Sequence, residues 1–400
     1  MFNSLKFKVI LFGFIFTFFS SFGQSYFLGL FNSSIREALS ITHGQFGSIY
    51  ASATLCSSLL LIWVGKKIDD VNIFKFAFFV TVLLSFACFF FSRITSVFLL
   101  FVAIFLMRFS GQGMMSHTAS TTISRYFTRT RGKALSISWF GLSSAEFIMP
   151  VLMVYLLTII DWQNLWLIFS ITVLIVLPIA SFLLIKNLNL DSREANDENI
   201  KEVEIKQWKR IEVIKDYRFY IISSNMLAMP WIFTGFAVFQ SFVQTSKGWG
   251  PYVIAQSFMS YSIFSVLTLF LSGFLIDKFT SRKLLIYMNI PLLLSVIVLF
   301  FFDTPVTAFV FLGLVGISNG FANILGSSTW AELYGVKYLG SIKALTTALM
   351  VFATAFGTAL FGYLIDIGFT VSDIAIVSGT YIFISLILLF FVRKKLNPVI

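Results

Sequence analysis

The chain has 400 residues, of which 58% are hydrophobic and only 12% are charged. A soluble chain carries about a quarter charged residues, and this composition has no way to hide its apolar surface from water. The net charge of +11 is dispersed in short clusters between apolar runs, a pattern suited to a membrane surface rather than to nucleic acid.

A crossing needs about 20 apolar residues. Taken in chain order, the sequence predicts twelve membrane helices, at residues 8–31, 44–65, 74–92, 97–124, 133–158, 163–185, 217–245, 251–276, 284–302, 305–331, 338–365 and 373–392. Lys6 and Lys8 precede the first run as they would precede a signal peptide, but the run is too long and no small-x-small cleavage site follows. The fold class is therefore an all-α membrane protein. Its parts are a six-helix bundle over 1–185, a cytoplasmic connector over 186–216 and a second six-helix bundle over 217–400. The connector stretch DSREANDENIKEVEIKQWKR suits either a short amphipathic helix on the inner surface or a plain solvated link.

Basic residues test the count, because Lys and Arg concentrate in cytoplasmic loops. With the N-terminus inside, 25 of the 29 basic residues fall on the cytoplasmic side, and only Arg36, Arg93 and Lys247 fall outside. Arg108 is left within a span. The split alternates loop by loop and places both termini in the cytoplasm of a cell whose inner (plasma) membrane holds the chain. No loop is large enough for a soluble active site, so no enzyme is expected. Cys56 and Cys88 lie within apolar runs and the two His residues form no cluster, so neither a metal nor a cofactor is expected. No Gly-x-x-x-x-Gly-Lys-(Ser/Thr) loop is present for ATP.

The two halves echo each other. After span two the chain reads Gly65-Lys-Lys-Ile-Asp69 and continues to Lys75; after span eight it reads Gly273-Phe-Leu275-Ile-Asp277-Lys278 and continues to Arg282-Lys283. Asp69 and Asp277 are 208 residues apart, and Lys133-Ala134-Leu135 parallels Lys343-Ala344-Leu345 at an offset of 210. Two echoes at nearly one offset indicate parallel half-repeats. In physical terms Gly273 permits close helix approach, Asp277 caps a helix or pairs across an interface, and Arg282 with Lys283 holds the cytoplasmic side. Glu332, at the inner end of span ten, is placed to partner Arg282.

With these loops the chain resembles the major facilitator superfamily, whose signature Gly-x-Leu-x-Asp-(Arg/Lys)-x-x-(x)-Arg-(Arg/Lys) residues 273–283 match closely; residues 65–75 keep Gly65, Asp69 and Lys75. The resemblance implies two bundles around a central cavity lined by spans one, four, seven and ten. It also implies that Gly65, Asp69, Gly273, Asp277, Arg282 and Glu332 form gating contacts that lock one access state. The polar residues on the cavity spans then become substrate-binding candidates: Gln24 and Tyr26, Arg108 and Gln112, Gln240, and Asn319 and Asn323, with Trp231 beside Pro230 as an aromatic wall on a kinked span seven. Interhelical hydrogen bonds are the alternative role for each amide.

Charges inside the bilayer are candidates for function by default. Arg108 lies roughly 16 Å into span four and Glu146 roughly 20 Å into span five from the other side, at about 1.5 Å per residue. Helical steps of about 100° put Gln112, Met115, Ala119 and Thr122 on the Arg108 face and His117 opposite, as a structural hydrogen-bonding residue. Three roles are open to the charged pair. Arg108 binds an anionic group while Glu146 carries the coupling proton; or the two form a fixed buried ion pair; or each faces a different helix. Small-residue stretches at Ser136–Ala145 and Ala353–Gly362 fit helices sliding between the halves or static close packing.

The expected function is secondary active transport by alternating access, proton-coupled, of a small organic anion such as a monocarboxylate. A single cavity Arg favours one negative charge. Several fragments look somewhat like bacterial monocarboxylate or organic-anion members of the superfamily, although spans one and eight show Gln24, Gln256 and Tyr261 where those relatives carry charges. The alternatives are an exporter of amphipathic drugs or metabolites, suggested by the Phe- and Met-rich walls, and a transport-inactive membrane sensor. The expected partners are the solute, protons and the lipid bilayer, with a monomer as the expected state.

Overall fold

The computed structural model describes residues 4–127, 130–186 and 206–396, with the backbone alone at Asp277 and Ser327. Among the described residues, twelve helices are long and apolar enough to cross a membrane. They are Leu5–Gly29, His43–Asp69, Ile73–Phe91, Val97–Tyr126, Arg131–Leu156, Trp162–Ile185, Tyr217–Val238, Val253–Ile276, Ser281–Phe301, Pro305–Tyr334, Leu339–Asp366 and Val371–Lys395. Large apolar side chains point outward from them, with Phe274 and Phe391 75% exposed and Trp63 73%. Such a surface is stable only against hydrocarbon. The chain is a multi-pass membrane protein.

Local chemistry sets the helix ends. Thr42 with Gln45 and Thr370 with Asp373 close capping boxes, and Asn72 and Ser96 accept first-turn N–H groups. Pro305 opens span ten, while Gly335 (φ +82°) and Gly368 (φ +92°) follow the ends of spans ten and eleven in conformations a Cβ disfavours. Span seven stops at Val238, short of the expected 245. Phe239 leaves the helical region (φ −103°, ψ 26°) and a separate short helix, Gln240–Ser246, follows.

The chain divides into two compact units, Met1–Asn199 and Ile200–Ile400. The expected amphipathic connector helix falls mostly on residues 187–205, outside the described part; a six-residue helix, Arg210–Lys215, leads into span seven. Glu212 closes its start. The Lys209 N–H donates to that carboxylate over 2.7 Å and Lys206 pairs with it at 3.0 Å, which together hold it below the usual carboxylate range.

Each unit welds its first helix to its fifth through glycine. In the first unit a Cβ on Gly141 would strike the Phe14 carbonyl, and the Thr17 hydroxyl donates to the Ser138 carbonyl over 2.5 Å. In the second, a Cβ on Gly357 would strike the Trp231 carbonyl, and one on Gly235 would lie 2.7 Å from the Phe361 ring. Gly141 and Gly357, from the two small-residue stretches, therefore make close contacts within their own units. The first unit's core is an aromatic knot of Phe22, Phe27, Phe31, Phe91, Phe169 and the fully buried Trp166. Such rings supply both area and edge-to-face contacts.

Candidate functional site

Span one is interrupted. Its helix ends at Ser20, a single tight turn covers Ser21–Gly23, and Gln24 is extended (φ −81°, ψ 150°) before the helix resumes at Ser25. Opposite this break, span four is wound as a π-helix over Arg108–Met115. Glycine permits the meeting of two irregular backbones. A Cβ on Gly111 would lie 2.7 Å from the Gly23 nitrogen, and one on Gly23 would strike the Gln112 nitrogen and the Met107 carbonyl. π-Turns take an extra residue, and they concentrate at functional positions.

Arg108 reaches into this junction and is 3% exposed. Its Nη1 donates to the Gly23 carbonyl at 3.0 Å and to the Ser25 hydroxyl at 3.2 Å, and its guanidinium carbon lies 5.4 Å from the centre of the Tyr50 ring. Nε is buried and has no hydrogen-bond partner. No carboxylate pairs with the guanidinium among the described residues. Glu146 does not fill that place. It is 8% exposed on span five, within electrostatic reach of the buried Tyr26 hydroxyl, and makes no ion pair with Arg108. Pro150, four residues on, also lacks the N–H that would have bonded the Glu146 carbonyl.

Span four is π-wound over Arg108–Met115, so its step there differs from the regular 100°. Gln112 stays half-buried, Met115, Ala119 and Thr122 are fully buried, and His117 bonds the Gly65 carbonyl at 3.0 Å. A Cβ on Gly65 would lie 3.4 Å from the His117 ring, an ordinary van der Waals contact, so close approach does not require glycine there. Gln24 sits half-buried at the break.

Two charged clusters tie helix ends together, each within its own unit. Asp69 pairs with Arg125 of span four, whose Nη1 also donates to the Ile68 carbonyl at 3.0 Å. Arg282 pairs with Glu332 of span ten at 3.2 Å, and Glu332 further accepts the Ser281 N–H at 2.8 Å. Gly273 departs from expectation. A Cβ there would meet nothing within 4 Å, so no close helix approach explains it. The Asp277 side chain lies outside the described part. Nearby, Asp216 and Arg218 form a buried pair at 2.8 Å that Tyr334 joins through its hydroxyl at 3.1 Å.

The second unit contains a cavity of about 200 Å³ walled by Phe233, Trp330 and four methionines (Met226, Met229, Met288 and Met350). Its polar lining is Ser223, Asn319, Asn323 and Thr346. Asn319 also donates to the Ser265 hydroxyl at 2.8 Å, linking spans ten and eight. Trp231 is a correction. It turns away from this cavity into a ring cluster with Phe356, Phe361 and Tyr381, while Pro230 and Phe233 line the wall. Gln240 is a second correction, since its amide donates to Ala237 at the span-seven break and it borders only a smaller, aromatic-walled cavity. Sequence reading missed Gly23, Ser25 and Tyr50, although a Gly-Gln-Ser interruption in the first apolar run carried a signal for the first two. Among the described residues no cluster of His, Cys, Asp or Glu could hold a metal.

The family model of the Major Facilitator Superfamily matches residues 13–259 and, again, 220–399. The chain belongs to that superfamily. The two matches together span nearly the whole chain, and superfamily membership makes the chain a transporter. Among solved structures, a bacterial homolog of the human lysosomal transporter Spinster superposes with a TM-score of 0.76 at 13% identity, covering 98% of this chain and 97% of that one. The nucleoside transporter NupG superposes with a TM-score of 0.69 at 15% identity, covering 98% and 99%. At these identities the likeness is one of fold. No curated protein matches the sequence, and the similarity to monocarboxylate porters finds no support.

Proposed function

We propose that this superfamily member is a proton-coupled secondary transporter of a small organic anion, such as a monocarboxylate. It works by alternating access in the inner membrane, as a monomer with both termini cytoplasmic. The observation that supports the anion most is Arg108, a buried guanidinium bonded only to neutral oxygens, with no carboxylate beside it. A cation left uncompensated inside a span is unfavourable unless a ligand or water supplies the missing charge. Glu146, buried and unpaired, is the proton carrier. Gln24 and Gln112 supply neutral hydrogen bonds near Arg108, Asn319 and Asn323 do so in the second unit's cavity, and the Asp69 and Arg282–Glu332 clusters act as gates.

Reconstituted protein tests this directly. Arg108→Gln is expected to abolish both gradient-driven uptake and counterflow of small carboxylates. Glu146→Gln is expected to abolish uptake driven by a proton gradient and to spare counterflow. Counterflow at the native rate in Arg108→Gln overturns the anion reading, and gradient-driven uptake by Glu146→Gln overturns the proton role.

A second reading has its own support. The methionine and aromatic wall of the second-unit cavity suits an amphipathic solute, because thioethers repack around varied shapes. Dye extrusion from energised vesicles, unaffected by Arg108→Gln, would favour an exporter.

A further inference from the structure

The guanidinium of Arg108 is held from one side only. Nη1 has two hydrogens, and both are used, one on the Gly23 carbonyl and one on the Ser25 hydroxyl. Ser25 is in turn fixed by Tyr50, whose hydroxyl donates to the same Ser25 oxygen at 3.0 Å. Tyr50 is 1% exposed, and its ring also lies against the guanidinium face. One side chain thus holds Arg108 twice, by its ring directly and by its hydroxyl through Ser25. The edge formed by Nε and Nη2 makes no hydrogen bond among the described residues.

We infer that Tyr50, acting through Ser25, is the positioning residue that turns the Nε–Nη2 edge of Arg108 toward the solute, and that the group taken there is a planar carboxylate bound side-on. This inference rests on the anion reading above. Two parallel N–H donors in a fixed fork match two carboxylate oxygens, and a lysine in the same place would offer a point charge without that geometry. The span-one break is part of the device. It presents the Gly23 carbonyl to Nη1, and the contact between Gly23 and Gly111 lets the two backbones come close enough for that bond. A free guanidinium rotates about its stem. One pinned at Nη1 and covered on one face presents a single edge.

Pyruvate counterflow in proteoliposomes, and phenylglyoxal labelling of Arg108 followed by mass spectrometry, test the inference with separate readouts. Tyr50→Leu removes ring and hydroxyl, and is expected to raise the half-saturating pyruvate concentration about tenfold. Tyr50→Phe and Ser25→Ala remove only the relay and are expected to raise it about threefold. Maximal rates are expected to stay within about twofold of native, the pattern of lost binding geometry rather than lost fold. Combining Tyr50→Phe with Ser25→Ala should add little to either, since both break one chain of bonds. Arg108 should label fastest in Tyr50→Leu, more slowly in Tyr50→Phe and most slowly in the native protein. Native half-saturation in all three single variants, or a fall in maximal rate alone, overturns the inference. Equal labelling rates overturn it whether or not pyruvate is carried. Native pyruvate transport by Arg108→Gln instead sinks the anion reading and the carboxylate with it, leaving the labelling rates to judge Tyr50 by themselves.

Discussion

The two units share a helix plan and differ in where they place charge. In the first, a guanidinium and a carboxylate are buried in separate helices with no ion-pair partner among the described residues, and span four is π-wound around the former. In the second, the spans bury neutral amides, Asn225 and Asn289 among them, and the buried charges of Asp216 and Arg218 neutralise each other at the start of span seven. The second unit also carries the methionine-walled cavity of about 200 Å³. One half-repeat has specialised in charge and the other in room and neutral hydrogen bonding. The welds that hold each unit have not diverged, since Gly141 on Phe14 and Gly357 on Trp231 are the same contact at corresponding places.

The sharpest way to break this comparison is at the backbone junction peculiar to the first unit. Gly23→Ala and Gly111→Ala each drive a Cβ into main-chain atoms, and no flexible side chain is there to yield. Overpacking costs about 1–3 kcal/mol and more where only backbone is there to move, so both variants are expected to lose monodisperse folded protein in size-exclusion and thermal-melting assays. Gly141→Ala and Gly357→Ala should be damaged to similar extents, as the shared weld requires. Gly273→Ala, with open space around it, should melt with the native protein. A tolerant Gly23 would mean that the π-helix and the broken span one can separate freely.

Next in size is the contrast between compensated and uncompensated charge. Asp216→Asn leaves Arg218 buried beside a neutral group, and losing one partner of a buried pair costs about 3 kcal/mol. Glu146→Gln removes a charge that has no ion-pair partner among the described residues, so the protein should melt no lower than native. Loss of stability in Glu146→Gln comparable to that in Asp216→Asn would reveal a hidden counter-charge and erase the distinction between the units.

Much of the architecture was legible because hydropathy and loop charge report it directly. Twelve apolar runs and the repeated Gly-x-x-x-Asp loop need no tertiary information. The Glu332–Arg282 contact could also be anticipated, since both residues sit at helix ends whose positions the spans determine. Arg108 stood out because ionisable groups are rare at that depth, yet its neighbours did not. Regular helical phase cannot foresee the π-winding over Arg108–Met115, yet Met115, Ala119 and Thr122 are buried like Arg108 and His117 makes a structural hydrogen bond to Gly65. Tyr50 was invisible for a different reason: a tyrosine in the middle of an apolar run reads as core until a partner is placed beside it. Trp231 failed in the opposite sense, because proximity in sequence to Pro230 says nothing about which side of span seven its ring takes.

The smallest expected effects come from the two loop clusters, which use different members of the repeated loop: the counterpart of Asp69 is Asp277, and the second-unit pair is formed by Arg282 instead. The first unit puts its acid on the loop, Asp69, and its base on span four, Arg125; the second puts its base on the loop, Arg282, and its acid on span ten, Glu332. Asp69 is 67% exposed at its side chain, where an ion pair is worth about 0.5 kcal/mol at most because water screens it. Glu332 is 27% exposed and also accepts the Ser281 N–H at the start of span nine, which makes it a helix cap as well as a partner. Losing a cap costs about 1 kcal/mol. Glu332→Ala, which removes both the pair and the acceptor that caps span nine, should therefore lower the melting temperature by more than Asp69→Asn does. Arg282→Gln should fall between them, because it removes the pair and spares the cap. If Asp69→Asn proves the more damaging, the first-unit loop is held by its acid rather than by the His117–Gly65 bond and the Arg125–Ile68 bond beside it.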